Sequence, residues 1–278
     1  MFTLRDVTFA YPDQPPVFER FGWEVKEGEV WAVLGPSGCG KSTLLLLLAG
    51  LIHPQQGAVW IDAAPLARPR PRTGLVLQEY GLLPWATVRE NVALGLRIRR
   101  FYGPDGRHVP RDARPDKADE AARVAHWLAR LNIADVADHY PTRISGGQRQ
   151  RAALARTLVL DPDLLLLDEP FSALDAPTRA DLQTLTLTLC AESGVTVVLV
   201  THAIEEAAFV GQQILLLHRP PNTRPVVVPH PHPTTANYRN SAAYQSTCAA
   251  LRAQIEYWGL GIGDQAPNPQ SPIPNPQV

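Results

Sequence analysis

The spacing of apolar positions changes along the chain and predicts two kinds of sheet. Residues 1–30 alternate apolar and polar side chains, as in Phe2–Phe9, which is typical of antiparallel strands with one buried face. Nearly continuous apolar runs, which indicate parallel strands buried on both faces, cover 30–34, 164–168 and 195–201. Strand-like segments also cover 58–61 and 74–77, and helical patterns cover 88–100 and 117–131. The alternation of strands and helices predicts an α/β fold.

The composition changes after Leu217. Residues 218–234 are rich in proline, and a short helix is predicted over 245–260. Residues 264–278 contain few apolar side chains besides proline, so we expect this tail to be disordered. The sequence therefore predicts a main domain over 1–218, a Pro-rich extension over 219–263 and a tail over 264–278.

The overall composition excludes several classes of protein. The chain has 278 residues, 45% of them hydrophobic, and a formal net charge of −1, so a nucleic acid is not an expected partner. The longest apolar run, 44–52, is too short to cross a bilayer, and the N-terminus has no apolar core of a secretory signal. Three cysteines stand far apart, which favours a reducing cytoplasm.

Residues 35–42 form a complete phosphate-binding loop of the form G-x-x-x-x-G-K-[ST]. Its members, with the next residue of the helix that follows, are Gly35, Pro36, Ser37, Gly38, Cys39, Gly40, Lys41, Ser42 and Thr43. Backbone N–H groups of such a loop surround the phosphates, while Lys41 reaches the outer phosphates and Ser42 their Mg²⁺. A buried strand precedes the loop and an apolar helix follows it, as this site requires. Because Cys39 lies inside the loop, we expect a maleimide adduct there to block phosphate entry.

Two carboxylates end the buried strand over 164–168. Asp168 is its last residue and Glu169 follows directly. The carboxyl ends of parallel strands are where such sheets bind ligands. Asp168 suits the shell of Mg²⁺, which takes one or two carboxylates together with waters and phosphates. Glu169 is the candidate for polarising an attacking water.

A second anion site is predicted at the start of another helix. Ser145 is a good N-cap for the helical pattern over 149–159, and it is followed by Gly146, Gly147 and Gln148. The glycines expose N–H groups at the positive end of that helix. Because the chain already has one phosphate loop, we expect this second site to serve the nucleotide of another chain.

These motifs together resemble the ATP-binding cassette (ABC) ATPases. The run from Ser145 to Gln148 is similar to the family signature, and the Asp-Glu strand follows it at the family's distance. The resemblance implies a head-to-tail dimer in which two ATP molecules lie between the phosphate loop of one chain and the signature of the other. It also implies a P-loop NTPase core with a mainly parallel sheet, an N-terminal antiparallel β subdomain and an inserted α-helical subdomain over 84–160.

The remaining family positions match one by one. Gln78 corresponds to a glutamine that contacts Mg²⁺ and the attacking water, and His202 to a switch histidine at the γ-phosphate. The run from Ser172 to Asp175 corresponds to a loop that crosses the dimer interface, and Tyr11 to an aromatic side chain that stacks on adenine. The chain departs from the family in having isoleucine before Ser145 and alanine after His202, which leaves these functional side chains in place.

Residues 78–92 are similar to the nitrate/sulfonate/taurine importer group, which has Leu-Pro-Trp and Glu-Asn-Val after the glutamine. This resemblance implies a peripheral ATPase on the cytoplasmic face of the membrane. Its expected partners are permease subunits, a second copy or a paralogous ATPase, and indirectly a solute-binding protein. Two alternatives stay open: the ATPase of an exporter, and a soluble ABC ATPase without a transport role. The Pro-, Gly- and Arg-rich segment 101–115 is either a solvated loop or a contact element.

Overall fold

A computed structural model describes residues 1–102, 117–230 and 238–259. In chain order the strands are β1 (Phe2–Phe9), β2 (Phe18–Val25), β3 (Val30–Leu34), β4 (Gln56–Ile61), β5 (Ala64–Pro65), β6 (Thr73–Val76), β7 (Leu164–Asp168), β8 (Thr196–Thr201), β9 (Gln213–Leu216) and β10 (Val226–Pro229). The helices are α1 (Lys41–Leu48), α2 (Val88–Phe101), α3 (Lys117–Arg130), α4 (Gly146–Leu158), α5 (Ala176–Ser193), α6 (Ile204–Val210) and α7 (Ala242–Gly259). The predicted tail 264–278 and nearly all of segment 101–115 lie outside the described residues.

The first sheet has four antiparallel strands in the order β2-β1-β4-β5, which confirms the prediction from the alternating N-terminal pattern. The alternate side chains of β1 are buried, beginning with Phe2 and Leu4. Phe2 contacts Trp23 edge-on with ring centroids 5.1 Å apart, and Trp23 contacts Trp31 of β3 in the same way at 5.2 Å. These edge-to-face pairs stabilise the packing of the small sheet against the main one.

The second sheet has the order β10-β9-β3-β8-β7-β6 and is parallel except for β10. Strands β3 and β8 are buried along their whole length, which explains their continuous apolar sequences. Leu34 at the end of β3 lies opposite Thr201 of β8, and Asp168 of β7 lies opposite Val200. The carboxyl ends of these three strands therefore meet at one edge of the sheet, where open α/β sheets bind ligands.

A helical region lies between β6 and β7. Helix α2 begins with a capping box in which the N–H of Glu90 donates to Thr87 Oγ1 at 3.2 Å and the N–H of Thr87 donates to Glu90 Oε2 at 2.8 Å. Val92, Leu128 and Leu154 belong to one buried apolar cluster, which joins α2, α3 and α4 to the main sheet. Among the described residues, no helix combines the length and apolar character needed to cross a bilayer.

The Pro-rich extension packs on the main sheet. Strand β10 pairs with β9, so that Val226 lies opposite Leu216, and the predicted boundary after residue 218 falls between these two strands. Helix α7 begins three residues before the predicted helix and packs on α6, with Leu251 and Cys248 buried in a cluster shared with β3 and β9. The apolar periodicity of α7 is weak in the sequence, because many of its positions are polar and lie on an exposed face of the helix.

Candidate functional site

The phosphate loop joins β3 to α1, and its tight path accounts for two of its glycines. Gly40 is the N-cap of α1 and has φ 103°, a left-handed backbone conformation that glycine adopts without strain. A Cβ on Gly35 would lie 2.5 Å from the carbonyl oxygen of Leu217, so the backbone there approaches β9 too closely for any side chain. Pro36, Ser37 and Gly38 form the exposed tip of the loop.

Lys41 places its ammonium inside this loop. The residue is only 7% exposed, and Nζ donates hydrogen bonds to the carbonyl oxygens of Gly35 and Pro36, each at 2.9 Å. A buried ammonium needs such partners because desolvation is costly. The first turn of α1 adds its free N–H groups to the same place. The loop therefore presents a positive charge and backbone donors together, which suits a polyphosphate.

The thiol of Cys39 is buried beneath the loop. The residue is 1% exposed, and its sulfur would lie 2.7 Å from a Cβ on Gly35, so the thiol points under the loop. Burial raises the pKa of the thiol, and the nearby Lys41 ammonium opposes that rise. The loop backbone thus covers the sulfur, so we expect a maleimide to react with Cys39 only slowly in the folded protein.

The side chains suited to Mg²⁺ lie beside the loop. Ser42 Oγ donates to Asp168 Oδ1 at 3.3 Å, which brings the last residue of β7 next to the first turn of α1. Burial raises the pKa of Asp168, and its hydrogen bond from Ser42 lowers it. Gln78 is exposed and lies two residues after the carboxyl end of β6, which is parallel to β7. A hydroxyl, a carboxylate and an amide oxygen fit a Mg²⁺ ion that takes its other ligands from phosphates and water.

Among the described residues, no group of three or more His, Cys, Asp or Glu side chains could hold a metal ion without help.

Glu169 and His202 form a pair at the exits of β7 and β8. Glu169 has φ 45°, and its N–H donates to the carbonyl oxygen of Val200 at 3.0 Å, which turns the chain sharply after the strand. His202 Nδ1 lies 3.0 Å from Glu169 Oε2. The histidine side chain is 58% exposed, so it can also contact a ligand above the sheet edge. A strained backbone at such a place is typical of functional residues.

The predicted signature segment is the N-terminus of α4. The N–H of Gln148 donates to Ser145 Oγ at 3.2 Å, and the N–H of Ser145 donates to Gln148 Oε1 at 3.0 Å, which completes a capping box. Gly146 and Gly147 form the first turn between them. Within the described part of the chain, no hydrogen bond or ion pair connects this segment to the phosphate loop. The two anion sites of one chain are thus separate.

Two further predicted residues lie at the edges of the site. Asp175 is the N-cap of α5 and accepts a hydrogen bond from the N–H of Thr178 at 3.3 Å, an interaction that lowers the pKa of this exposed carboxyl. Tyr11 places its hydroxyl 3.1 Å from Thr43 Oγ1 and its ring edge-on to Phe9. Tyr11 therefore lies against the first turn of α1, with its ring partly exposed.

Asn222 supports the phosphate loop from below and was not predicted from the sequence. It is buried, and its Nδ2 donates to the carbonyl oxygen of Cys39 at 2.9 Å. The neighbouring bond from its backbone N–H to the carbonyl of Val17 measures 3.0 Å. The only signal in the sequence is an asparagine after two prolines, a pattern that indicates a turn but not what the turn contacts.

We predict that maleimide modifies the folded protein at least tenfold more slowly than the denatured protein, because Cys39, Cys190 and Cys248 are all buried. Intact-mass spectrometry should show unmodified protein under native conditions and three adducts in denaturant. A single fast adduct that peptide mapping assigns to Cys39 would contradict the described position of this thiol.

The sequence of this chain is similar to a protein family and to known proteins. The model of the family described as ABC transporter matches residues 18–172. An aliphatic sulfonates import ATP-binding protein (SsuB) of Bacillus cereus is 36% identical over 88% of this chain and 90% of its own length. A taurine import ATP-binding protein (TauB) of Pseudomonas aeruginosa is 44% identical over 70% of this chain and 69% of its own length.

Solved structures give the same result. A dimeric ATP-binding cassette in a post-hydrolysis state, bound to ADP and Pi, matches with a TM-score of 0.68 and 32% identity over 79% of this chain and 97% of that chain. A second dimeric structure, of a bacterial ABC transporter cassette, matches with the same TM-score and 33% identity over 78% of this chain and 94% of that chain. The matched fold is the α/β fold described above. The chain belongs to the ABC transporter family and is one of its ATP-hydrolysing subunits.

Proposed function

We propose that this chain is the ATPase subunit of an ABC importer and that it hydrolyses ATP at the edge formed by β3, β7 and β8. One observation carries the proposal: Glu169 Oε2 and His202 Nδ1 lie 3.0 Å apart at the ends of β7 and β8, and β7 also ends in Asp168, which accepts the hydrogen bond from Ser42. A nucleotide held by the phosphate loop would have its terminal phosphate directed to this edge.

In this proposal the loop and Lys41 bind the β- and γ-phosphates. Ser42, Asp168 and Gln78 would hold Mg²⁺, which when bound neutralises charge on the phosphate oxygens. Glu169 orients a water molecule for in-line attack on the γ-phosphate and accepts its proton. His202, whose Nδ1 lies 3.0 Å from Glu169 Oε2, would fix the carboxylate and stabilise charge that develops on the γ-phosphate oxygens.

We further propose that two copies form a head-to-tail dimer around two ATP molecules. The Ser145 end of α4 presents N–H groups to an anion but is not joined to the phosphate loop of its own chain in the described residues. The γ-phosphate of the other chain's ATP is the anion that fits it. Asp175 begins α5 with its backbone in an extended conformation, and the loop before it would contact the second copy.

The partner in the membrane would bind the segment after Gln78. Trp85 is 73% exposed, and Leu77 and Tyr140 are also exposed apolar side chains. The N–H groups of Val88 and Arg89 donate to carbonyls of 139 and 137, so Trp85 and Tyr140 belong to segments that meet at the start of α2. Large exposed aromatic side chains are typical of interaction sites. We assign this surface to the permease, on the cytoplasmic face of the membrane.

The names of two relatives, which specify aliphatic sulfonates and taurine, support a proposal for the solute. We therefore propose a sulfonate as the imported solute. The ATPase itself does not bind the solute in this proposal; it supplies the energy for transport by the permease.

We predict that Glu169→Gln lowers ATP hydrolysis by about 10²- to 10⁴-fold while ATP binding survives, because the loop, Lys41, Ser42 and Asp168 are unchanged. Light scattering should then show a monomer without nucleotide and a dimer with ATP. Adding Ser145→Arg should restore the monomer by filling the second anion site. Hydrolysis at the wild-type rate would remove Glu169 from the mechanism, and a Glu169→Gln protein that stays monomeric with ATP would contradict the dimer.

For the permease surface, Trp85→Ala should lower the amount of this chain recovered with membranes after co-expression with its partner permease. A loss of roughly tenfold or more is expected for a central aromatic contact. Its ATPase rate without permease should stay unchanged. The matched control is Leu51→Ala, another exposed apolar side chain outside this segment. Equal recovery of both variants with membranes would exclude Trp85 from the docking surface.

A further inference from the structure

A chain of polar contacts connects the loop before α5 to the turn that carries His202. Its first contact is made by Arg179, one turn into α5, whose Nη2 donates to the carbonyl oxygen of Leu174 at 2.7 Å. Leu174 precedes Asp175 in the loop that we assign to the dimer interface. The guanidinium therefore fixes the end of this loop from inside its own chain.

The other end of the chain of contacts lies on α6. Glu206 is 4% exposed, and its Oε2 accepts a hydrogen bond from Thr201 Oγ1 at 2.7 Å. The same hydroxyl accepts a bond from the N–H of Ala203 at 3.0 Å. Thr201 and Ala203 are the two neighbours of His202, so Glu206 fixes the turn from which the histidine side chain extends.

The two ends approach each other without a hydrogen bond. Arg179 Nε lies 3.9 Å from Glu206 Oε1, and this Nε is buried without a hydrogen-bond partner. Unpartnered buried donors are rare and call for an explanation. Burial raises the pKa of Glu206, and the Thr201 hydrogen bond and Arg179 oppose that rise. A small movement of α5 toward α6 would bring the two groups to the ~2.7–2.9 Å of a charge-assisted hydrogen bond.

We propose that Arg179 and Glu206 are positioning residues that couple the Leu174–Asp175 loop to the orientation of His202. Contact of that loop with the second copy moves Arg179 onto Glu206. Glu206 then holds the Thr201–Ala203 turn more firmly, so that His202, which already lies beside Glu169, is kept directed at the γ-phosphate. Hydrolysis thereby depends on completion of the dimer. The inference rests on the proposed function, since it assigns the loop to the dimer interface and His202 to the γ-phosphate.

The chain offers a matched control on the same helix. Glu205 precedes Glu206 and forms an ion pair with Arg252 of α7, with Nη2 and Oε1 2.9 Å apart. Both of these side chains are more than half exposed, and among the described residues neither forms a hydrogen bond or ion pair with the loop or the His202 turn. Glu205→Gln therefore removes one carboxylate charge from α6 without touching the proposed connection.

The experiment measures steady-state ATP hydrolysis of Arg179→Gln, Glu206→Gln, the double variant and Glu205→Gln. We expect each connection variant to lower kcat by about tenfold, within the range for residues along a coupling network, and to leave KM for ATP within about twofold. Glu205→Gln should keep the wild-type kcat. The double variant should lose no more than the worse single variant, because both substitutions break one connection.

Three results would overturn the proposal: a Glu206→Gln enzyme as active as Glu205→Gln, losses that multiply in the double variant, or a rise in KM in place of a fall in kcat.

If Glu206→Gln does not fold, Arg179→Lys decides, because it keeps the charge at a partly exposed position but lacks the second donor of the guanidinium. It should lower kcat severalfold, and wild-type kcat would refute the connection. Failure of the proposed function would give a different result: the wild-type chain would then show no ATP hydrolysis that depends on Glu169.

Discussion

The buried ammonium of Lys41 is the constraint on which the site depends. It lies inside the phosphate loop and bonds to the carbonyl oxygens of Gly35 and Pro36. These bonds require a loop that folds back closely on itself, which in turn requires Gly35 against the backbone of Leu217 and the left-handed Gly40 before α1. The loop is held from below by Asn222, which comes from the Pro-rich extension. The extension therefore supports the nucleotide site as well as the fold.

The order of strands in the main sheet then brings the chemistry together. Strand β3 leads into the loop, β7 ends in Asp168 and Glu169, and β8 leads to His202. Their parallel register aligns all three exits, so a hydroxyl, two carboxylates and an imidazole converge from distant parts of the sequence. The Ser145 end of α4 does not belong to this cluster. In the described residues, no hydrogen bond joins it to the phosphate loop. This division supports the proposal that a second chain completes the site.

The parts of the molecule that the sequence predicts are those with local physical signals. Strands β3 and β7 have the predicted bounds, because short apolar runs buried on both faces leave little choice of register or length. The phosphate loop and the Ser145 cap are readable because backbone geometry restricts which residues fit there. The burial of Cys39 and the contacts of Asn222 and Glu206 depend on tertiary packing between elements remote in sequence, and no local pattern specifies them.

The claim that the site is shared between two chains has one most direct test. Ser37→Cys would be placed in one tagged chain and Ser145→Cys in a second chain with a different tag, both carrying Glu169→Gln. Both serines are exposed, so a short bifunctional maleimide can reach them. If the site is shared, a cross-linked band that contains both tags should form with ATP. The band should be absent without nucleotide, and also when Lys41→Ala is added to the Ser37→Cys chain. Absence of the mixed band with ATP, or its equal formation without nucleotide, would contradict the account.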